Sequence, residues 1–213
     1  MSTKPQAGNT ADTVAAFDFD GTLSTRDNFV PFLRRVAGTT AVTRAMATSS
    51  ARLARSPRST WSRDEMKALV LHDLFAGYDR EAIDEIGRGF AFEIIQRHLA
   101  PEMVQRADWH RTQGHALVIV SASLGVYLRP IAEHLRFDSV LCTELEVGVD
   151  GVLTGEIDGA NVRGAEKARR LDVWMGNDDM FVWGYGDSSG DRELWARADR
   201  AVKVKKGRAV GKP

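Results

Sequence analysis

Only one cysteine, Cys142, occurs in the 213 residues. It cannot form an internal disulfide, and it fits a reducing compartment. An excess of charge of either sign is also missing. Lys+Arg and Asp+Glu both number 29, so the net charge is zero. This argues against nucleic-acid binding through bulk electrostatics, but not against a small anionic substrate, which needs only local positive charge. No apolar run reaches the ~18 residues of a membrane span. The first twelve residues are polar and lack the apolar segment of a signal peptide. A cytoplasmic protein with no membrane or nucleic-acid partner is therefore expected, as a monomer or homodimer. The five histidines are scattered and, with one cysteine, offer no zinc-ligand spacing.

What the chain does have is a set of apolar runs that end on chemistry-bearing residues. Val14-Ala15-Ala16-Phe17 reads as a buried strand, followed by Asp18-Phe19-Asp20-Gly21-Thr22. Paired carboxylates at a buried strand end are costly to desolvate unless a cation or a reaction uses them. An ordinary Asp-Gly turn is the bland alternative. From about Phe29 to Pro101 the periodicity is helical. Met66, Leu69, Val70, Leu74 and Phe75 share one face before Gly77, and Ile83, Ile86, Phe90, Ile94 and Ile95 share another. The arginines of this block, Arg34, Arg35, Arg44, Arg52, Arg55, Arg58 and Arg63, read as a solvated surface.

A helix from Pro101 to about Gly114 leads to a second buried strand, Ala116–Val120. That strand ends on Ser121-Ala122-Ser123 before a helix running to Leu135. A strand end, hydroxyls and a helix start together suit an anion, although either serine could simply cap the helix. Ser139–Cys142 reads as a third strand, and Glu144–Ile157 as a hairpin around Asp150-Gly151. Lys167 sits on the first turn of a helix opened by Gly164, where the helix dipole disfavours a cation. It either has an anionic partner or is a surface lysine. Met180–Tyr185 is the next buried strand and ends on Gly186-Asp187-Ser188-Ser189-Gly190-Asp191. Ala198–Val204 reads as the last strand.

Alternating strands and helices predict an α/β fold. It is a Rossmann-like, mostly parallel sheet with helices on both faces, with the chemistry at the carboxyl ends of the strands. Carboxylates from two strands at that edge call for a hard, oxygen-liganded cation, and magnesium is the usual one. A hydroxyl, a lysine and free N–H groups beside them suit a phosphoryl group.

Together these residues resemble the four motifs of the haloacid dehalogenase superfamily of phosphatases, in its phosphoserine phosphatase-like branch. Asp18-Phe19-Asp20-Gly21-Thr22 is similar to the first motif, Ser121 to the second, Lys167 to the third, and Gly186 through Asp191 to the fourth. The resemblance implies a core of residues 13–28 and 102–205 with a helical-bundle cap of residues 29–101. Residues 1–12 are then a disordered tail and 206–213 a frayed one. It implies Asp18 as nucleophile and magnesium ligand. Asp20 is the acid/base and a magnesium ligand through its carbonyl. Thr22, Ser121 and Ala122 bind phosphate, Lys167 is the neutralising cation, Asp187 is a magnesium ligand, and Asp191 orients the metal site or Lys167. The activity implied is magnesium-dependent hydrolysis of a small phosphomonoester. Phosphotransfer to an alcohol and a receiver-like phospho-aspartate switch are the alternatives. Where phosphoserine phosphatases carry a glutamate that recognises the amino group, this chain has Asp27, which either faces substrate or caps the first cap helix. Where they carry a cap arginine, Leu71 stands nearby, with Arg63 and Lys67 as substitutes, and His72 is a further cap residue to test for specificity. A phosphoserine-like substrate other than phosphoserine itself is expected.

Overall fold

The computed structural model describes residues 12–55 and 61–210. The expected N-terminal tail before Asp12, the last three residues and Arg58 lie outside the described residues.

The first strand, β1 (Thr13–Phe17), is central. Successive side chains point to opposite faces. Ala15 and Phe17 enter one apolar layer, and Val14 and Ala16 enter the other. The near-continuous apolar run follows from this double burial. The helical insert comes next: α1 (Phe29–Ala54), α2 (Arg63–Phe75) and α3 (Arg80–Arg97). After it come α4 (Pro101–Thr112), β2 (Ala116–Leu124), α5 (Gly125–His134), β3 (Ser139–Val147) and β4 (Leu153–Asp158). The chain ends with α6 (Ala165–Met175), β5 (Phe181–Gly186), a 3-10 turn (Ser189–Asp191), α7 (Arg192–Arg197), β6 (Arg200–Lys205) and β7 (Arg208–Ala209).

The strands form one seven-stranded sheet in the order β4-β3-β2-β1-β5-β6-β7. β1 pairs in parallel with β2 on one side and β5 on the other, Phe17 lying opposite Ile119 and Tyr185. The strand order therefore reverses at β1, the place where open α/β sheets bind their ligands. Residues of α4 and α5 cover one face, and residues of α6 and α7 the other. Only β4 and β7 are antiparallel to their neighbours.

The cap helices share their apolar layer with the core. Phe32 of α1 and Phe90 of α3 pack on Tyr127 of α5, with ring centroids 5.0 and 5.6 Å away. α1 breaks at Gly38, whose φ of 79° and ψ of 159° are not helical. α2 starts with a reciprocal cap between Ser62 and Glu65, and α3 with Asp79 accepting from the Ala82 N–H. The two core–cap connections lie side by side: the Thr25 N–H donates to the His98 carbonyl and the Ala100 N–H to the Leu23 carbonyl. A third attachment joins the α2–α3 turn to the β3–β4 hairpin. There the Gly77 N–H donates to the Leu153 carbonyl at 2.9 Å, and the Leu153 N–H to the Tyr78 carbonyl at 2.8 Å. Among the described residues no helix is long and apolar enough to cross a membrane.

Several boundaries differ from the reading of the sequence. Ser121-Ala122-Ser123 is not a turn but the continuation of β2 to Leu124, with an irregular register between Ser121 and Leu124. Ser139–Cys142 and the first hairpin arm are one strand, β3, which changes partner from β2 to β4 along its length. The tail expected to fray from Lys206 instead turns back at once, and Arg208–Ala209 pair with β6. Local composition could not reveal this pairing, because the ordering contacts come from residues 21 and 100.

Candidate active site

The carboxyl ends of β1, β2 and β5 and the start of α6 surround a cavity of about 370 Å³. Asp18, Asp20, Ser121, Ala122, Lys167 and Asp187 all line it, and so does Asp27. Asp18 follows β1 directly, and its N–H still donates to the Tyr185 carbonyl at 2.9 Å, so the sheet ladder holds its backbone.

Lys167 explains its own unfavourable position at a helix start. It is only 3% exposed, and its Nζ donates to Asp18 Oδ1 at 2.6 Å and Asp191 Oδ1 at 2.5 Å. Burial works against its charge, but the two carboxylates outweigh that and hold its pKa above the ordinary lysine value. Burial lifts Asp18 to about 7 despite the pull of Lys167. Asp18 Oδ2 accepts no hydrogen bond among the described residues.

Asp191 is fully buried and both of its oxygens are engaged. Oδ1 takes Lys167, while Oδ2 accepts from the N–H groups of Asp187 and Ser188 at 3.1 and 3.0 Å. It fastens the fourth loop to the lysine. Asp187 is exposed at the cavity, and burial of its carboxyl followed by the charge of Asp191 raises its pKa.

Carboxylate oxygens of Asp18, Asp187 and Asp191 lie within 4.8 Å of one another. Three carboxylates against one lysine leave negative charge uncompensated, and all the donors are hard oxygens. A divalent cation such as magnesium fits that set. Gly21 permits the approach: a Cβ there would stand 2.1 Å from Asp187 Oδ2, and its φ is +77°.

Asp20 is held at both oxygens. Oδ1 accepts from the Asn28 N–H at 3.0 Å and Asn28 Nδ2 at 2.7 Å, and Oδ2 from Ser123 Oγ at 2.5 Å. Burial, followed by the charge of Asp27, lifts its pKa to about 6. A carboxyl poised there can both give and take a proton near neutral pH. Ser121 is buried, and its Oγ accepts from the Ser123 N–H at 3.2 Å.

Thr22 is fully buried, is not among the residues lining the cavity, and its Oγ1 has no partner. The turn that follows β1 carries it inward, out of the cavity lining. Asp27 Oδ1 accepts from the Phe29 N–H at 2.9 Å at the start of α1, whose N-cap is Asn28, and the residue also lines the cavity. Of the cap residues Arg63, Lys67 and His72, Arg63 lines the cavity. Lys67 instead spans cap and core, donating to the Ala122 carbonyl at 2.5 Å and Asn161 Oδ1 at 2.7 Å. Burial lowers its pKa to about 8. His72 faces Glu156, 3.2 Å away, and is not among the lining residues. The sequence reading missed Arg26, Asn28, Arg163 and Lys206 at or behind this cavity. Arg26, Asn28 and Arg163 follow no apolar run, and Lys206, although it follows β6, falls in a basic stretch that read as a frayed tail.

Residues 15–195 match the family model for haloacid dehalogenase-like hydrolases. The chain belongs to that family. This hydrolase is 34% identical to Protein CicA of Caulobacter vibrioides over 186 residues, 87% of this chain and 83% of that protein. It is 26% identical over 135 residues, 61% of each chain, to a histidinol-phosphatase of Neisseria meningitidis. A protein of unknown function from Bordetella pertussis Tohama I has the same fold, with a TM-score of 0.74 at 22% identity, covering 91% and 90% of the two chains. A phospho-aspartyl intermediate analogue of phosphoserine phosphatase matches with a TM-score of 0.65 at 16% identity, covering 91% and 87%.

Proposed function

We propose that this hydrolase is a magnesium-dependent phosphatase that cleaves small phosphomonoesters in the cytoplasm through an aspartyl-phosphate intermediate. One arrangement carries the reading. Lys167 lies buried between Asp18 and Asp191, with the second oxygen of Asp18 unengaged and Asp20 two residues on. In this reading Asp18 Oδ2 attacks phosphorus and forms an acyl–phosphate bond as the ester P–O bond breaks. Asp20 gives its proton to the departing oxygen, then takes one from the water that attacks the intermediate. Inorganic phosphate leaves and Asp18 is regenerated. Ser121 and Ala122 orient the phosphoryl oxygens, and Lys167 offsets their charge while keeping Asp18 in place. Asp18, Asp187 and the main-chain carbonyl of Asp20 would hold magnesium, with Asp191 organising the loop behind them. Bound there, magnesium would neutralise charge on the phosphoryl group.

A receiver-like switch uses similar acids and a lysine but needs no cap, and α1–α3 stand against it. Phosphotransfer would replace water by an alcohol at the same site. The test is phosphate release from a panel of phosphomonoesters with magnesium, with and without added alcohols. Turnover with water as acceptor is expected. No release from any ester, an activated aryl phosphate included, would refute the proposal.

A further inference from the structure

Four cations with no part in the proposed chemistry line the same cavity. They are Arg26 from the first core–cap connection, Arg63 at the start of α2, Arg163 ahead of α6, and Lys206 from the β6–β7 turn. Arg26 is partly engaged, its Nε donating to Asn28 Oδ1 at 3.2 Å and its terminal nitrogen lying 3.7 Å from Glu93. Among the described residues the side chains of Arg63, Arg163 and Lys206 have neither a hydrogen bond nor an ion pair. Outside the catalytic carboxylates, Asp27 is the only acid in the lining.

Lys206 is held there against its own backbone preference. The register Lys205↔Arg208 leaves Lys206-Gly207 as a two-residue turn, with φ of 50° and 73°. Hairpins favour turns with both φ values positive, but glycine, asparagine or aspartate usually fills them, not lysine. The turn is also anchored to the catalytic loop. The Gly207 N–H donates to the Gly21 carbonyl at 3.0 Å, and a Cβ on Gly207 would stand 2.4 Å from Ala100 Cβ. A strained residue held in the lining of a site points to use. The same lining holds Asp18, Asp20, Asp27 and Asp187, but none of these pairs with Arg63, Arg163 or Lys206, and cations left unpaired at a cavity raise the local concentration of anions. In the phosphatase reading the scissile phosphate would be served by Lys167 and a cation held by the carboxylates, which leaves these four cations for something else.

Resting on the phosphatase reading above, we infer that the substrate is a phosphomonoester carrying a second anionic group, a phosphate or a carboxylate, which Lys206, Arg163 and Arg63 bind. A substrate whose second group is an amine gains nothing from this collar.

The test compares kcat/KM, by phosphate release with magnesium present, for alkyl phosphates of matched length. Their far ends carry a phosphate monoester, a phosphodiester, a carboxylate, a hydroxyl or an ammonium group. The anionic termini are expected to exceed hydroxyl and ammonium by about tenfold or more, the scale of charge-assisted hydrogen bonds. The order among the three anionic arms distinguishes phosphate from carboxylate. The advantage should fall about tenfold in Lys206→Gln and in the Arg63→Gln/Arg163→Gln double variant. It should persist in Lys205→Gln, whose side chain is not in the lining. Lys206→Gly removes the charge while relaxing the positive φ, so a lost advantage with Tm at or above wild type excludes misfolding as the cause. No advantage for anionic termini, or one that survives both the Lys206 and the double-arginine changes, overturns the inference. If an aryl phosphate is hydrolysed without that preference, this inference alone fails. If nothing is hydrolysed, the phosphatase reading fails first.

Discussion

Ser123 Oγ donates to Asp20 Oδ2 at 2.5 Å across 103 positions of the chain. With Asn28 on the other oxygen, it fixes the carboxyl proposed to move the proton. Ser123→Ala leaves one oxygen of a buried acid unpartnered. The expected loss is about tenfold in kcat for alkyl phosphates, whose leaving oxygen needs a proton. A p-nitrophenyl ester, which leaves without one, should lose less, and Ser123→Thr should restore part of the difference. Equal losses for both leaving groups would remove the positioning role.

Asp18→Asn should abolish turnover, because an amide cannot attack phosphorus. The Lys167 contact also loses its charge, so Tm is the second measurement. A folded, inactive variant is the expected result, and near-wild-type rates would end the proposed mechanism.

Magnesium removal should abolish activity, with recovery on adding magnesium but not zinc, since the donors are all carboxylate or carbonyl oxygens. Gly21→Ala pushes a methyl group against Asp187 Oδ2. It should raise the magnesium concentration needed for half activity by about tenfold or more. Full activity in excess chelator contradicts the cofactor assignment.

Asp27→Ala should alter the ranking of phosphomonoesters more than it alters turnover of a small aryl phosphate, since Asp27 lines the cavity but bonds none of Asp18, Asp191 and Lys167. An unchanged ranking would leave Asp27 as a cap for α1 alone.

His110 provides a pH-dependent contribution away from the catalytic edge. It is buried, its Nε2 lies 2.8 Å from Tyr185 Oη and its Nδ1 2.7 Å from His115 Nδ1. Burial, then His115 and Arg106, depress its pKa to about 3 from the ordinary 6.5. The unfolded chain therefore binds the proton first as pH falls. The contribution is complete above 6.5 and is lost progressively toward 3. Tm should drop between pH 7 and 4, and more steeply than in His110→Asn. By NMR the ring should stay neutral down to about pH 4. A ring that titrates near 6.5 would contradict this.

The connections near Thr25 and Ala100 are not the only attachment of the inserted helices among the described residues. Only the folded chain shows Gly77 and Tyr78 bonded to Leu153, so the β3–β4 hairpin is tied to the cap as well. Lys67 adds a side-chain tie from α2 to the Ala122 carbonyl.

The sequence by itself determined the α/β pattern, the position of the helical insert and the strand ends that carry Asp18, Asp20, Ser121 and Asp187. Each is a local signal, an apolar run ending in polar chemistry, and burying both faces of a parallel sheet forces that pattern. The tertiary structure alone decided which way Thr22 turns, who holds Asp20, how Asp191 divides its oxygens, and that Lys206 reaches the cavity. The decisive contacts join groups far apart in the chain, as when Ser123 meets Asp20 across 103 positions and Gly207 meets Gly21. Residue order carries no local trace of such meetings, because packing and backbone turns set them rather than periodicity.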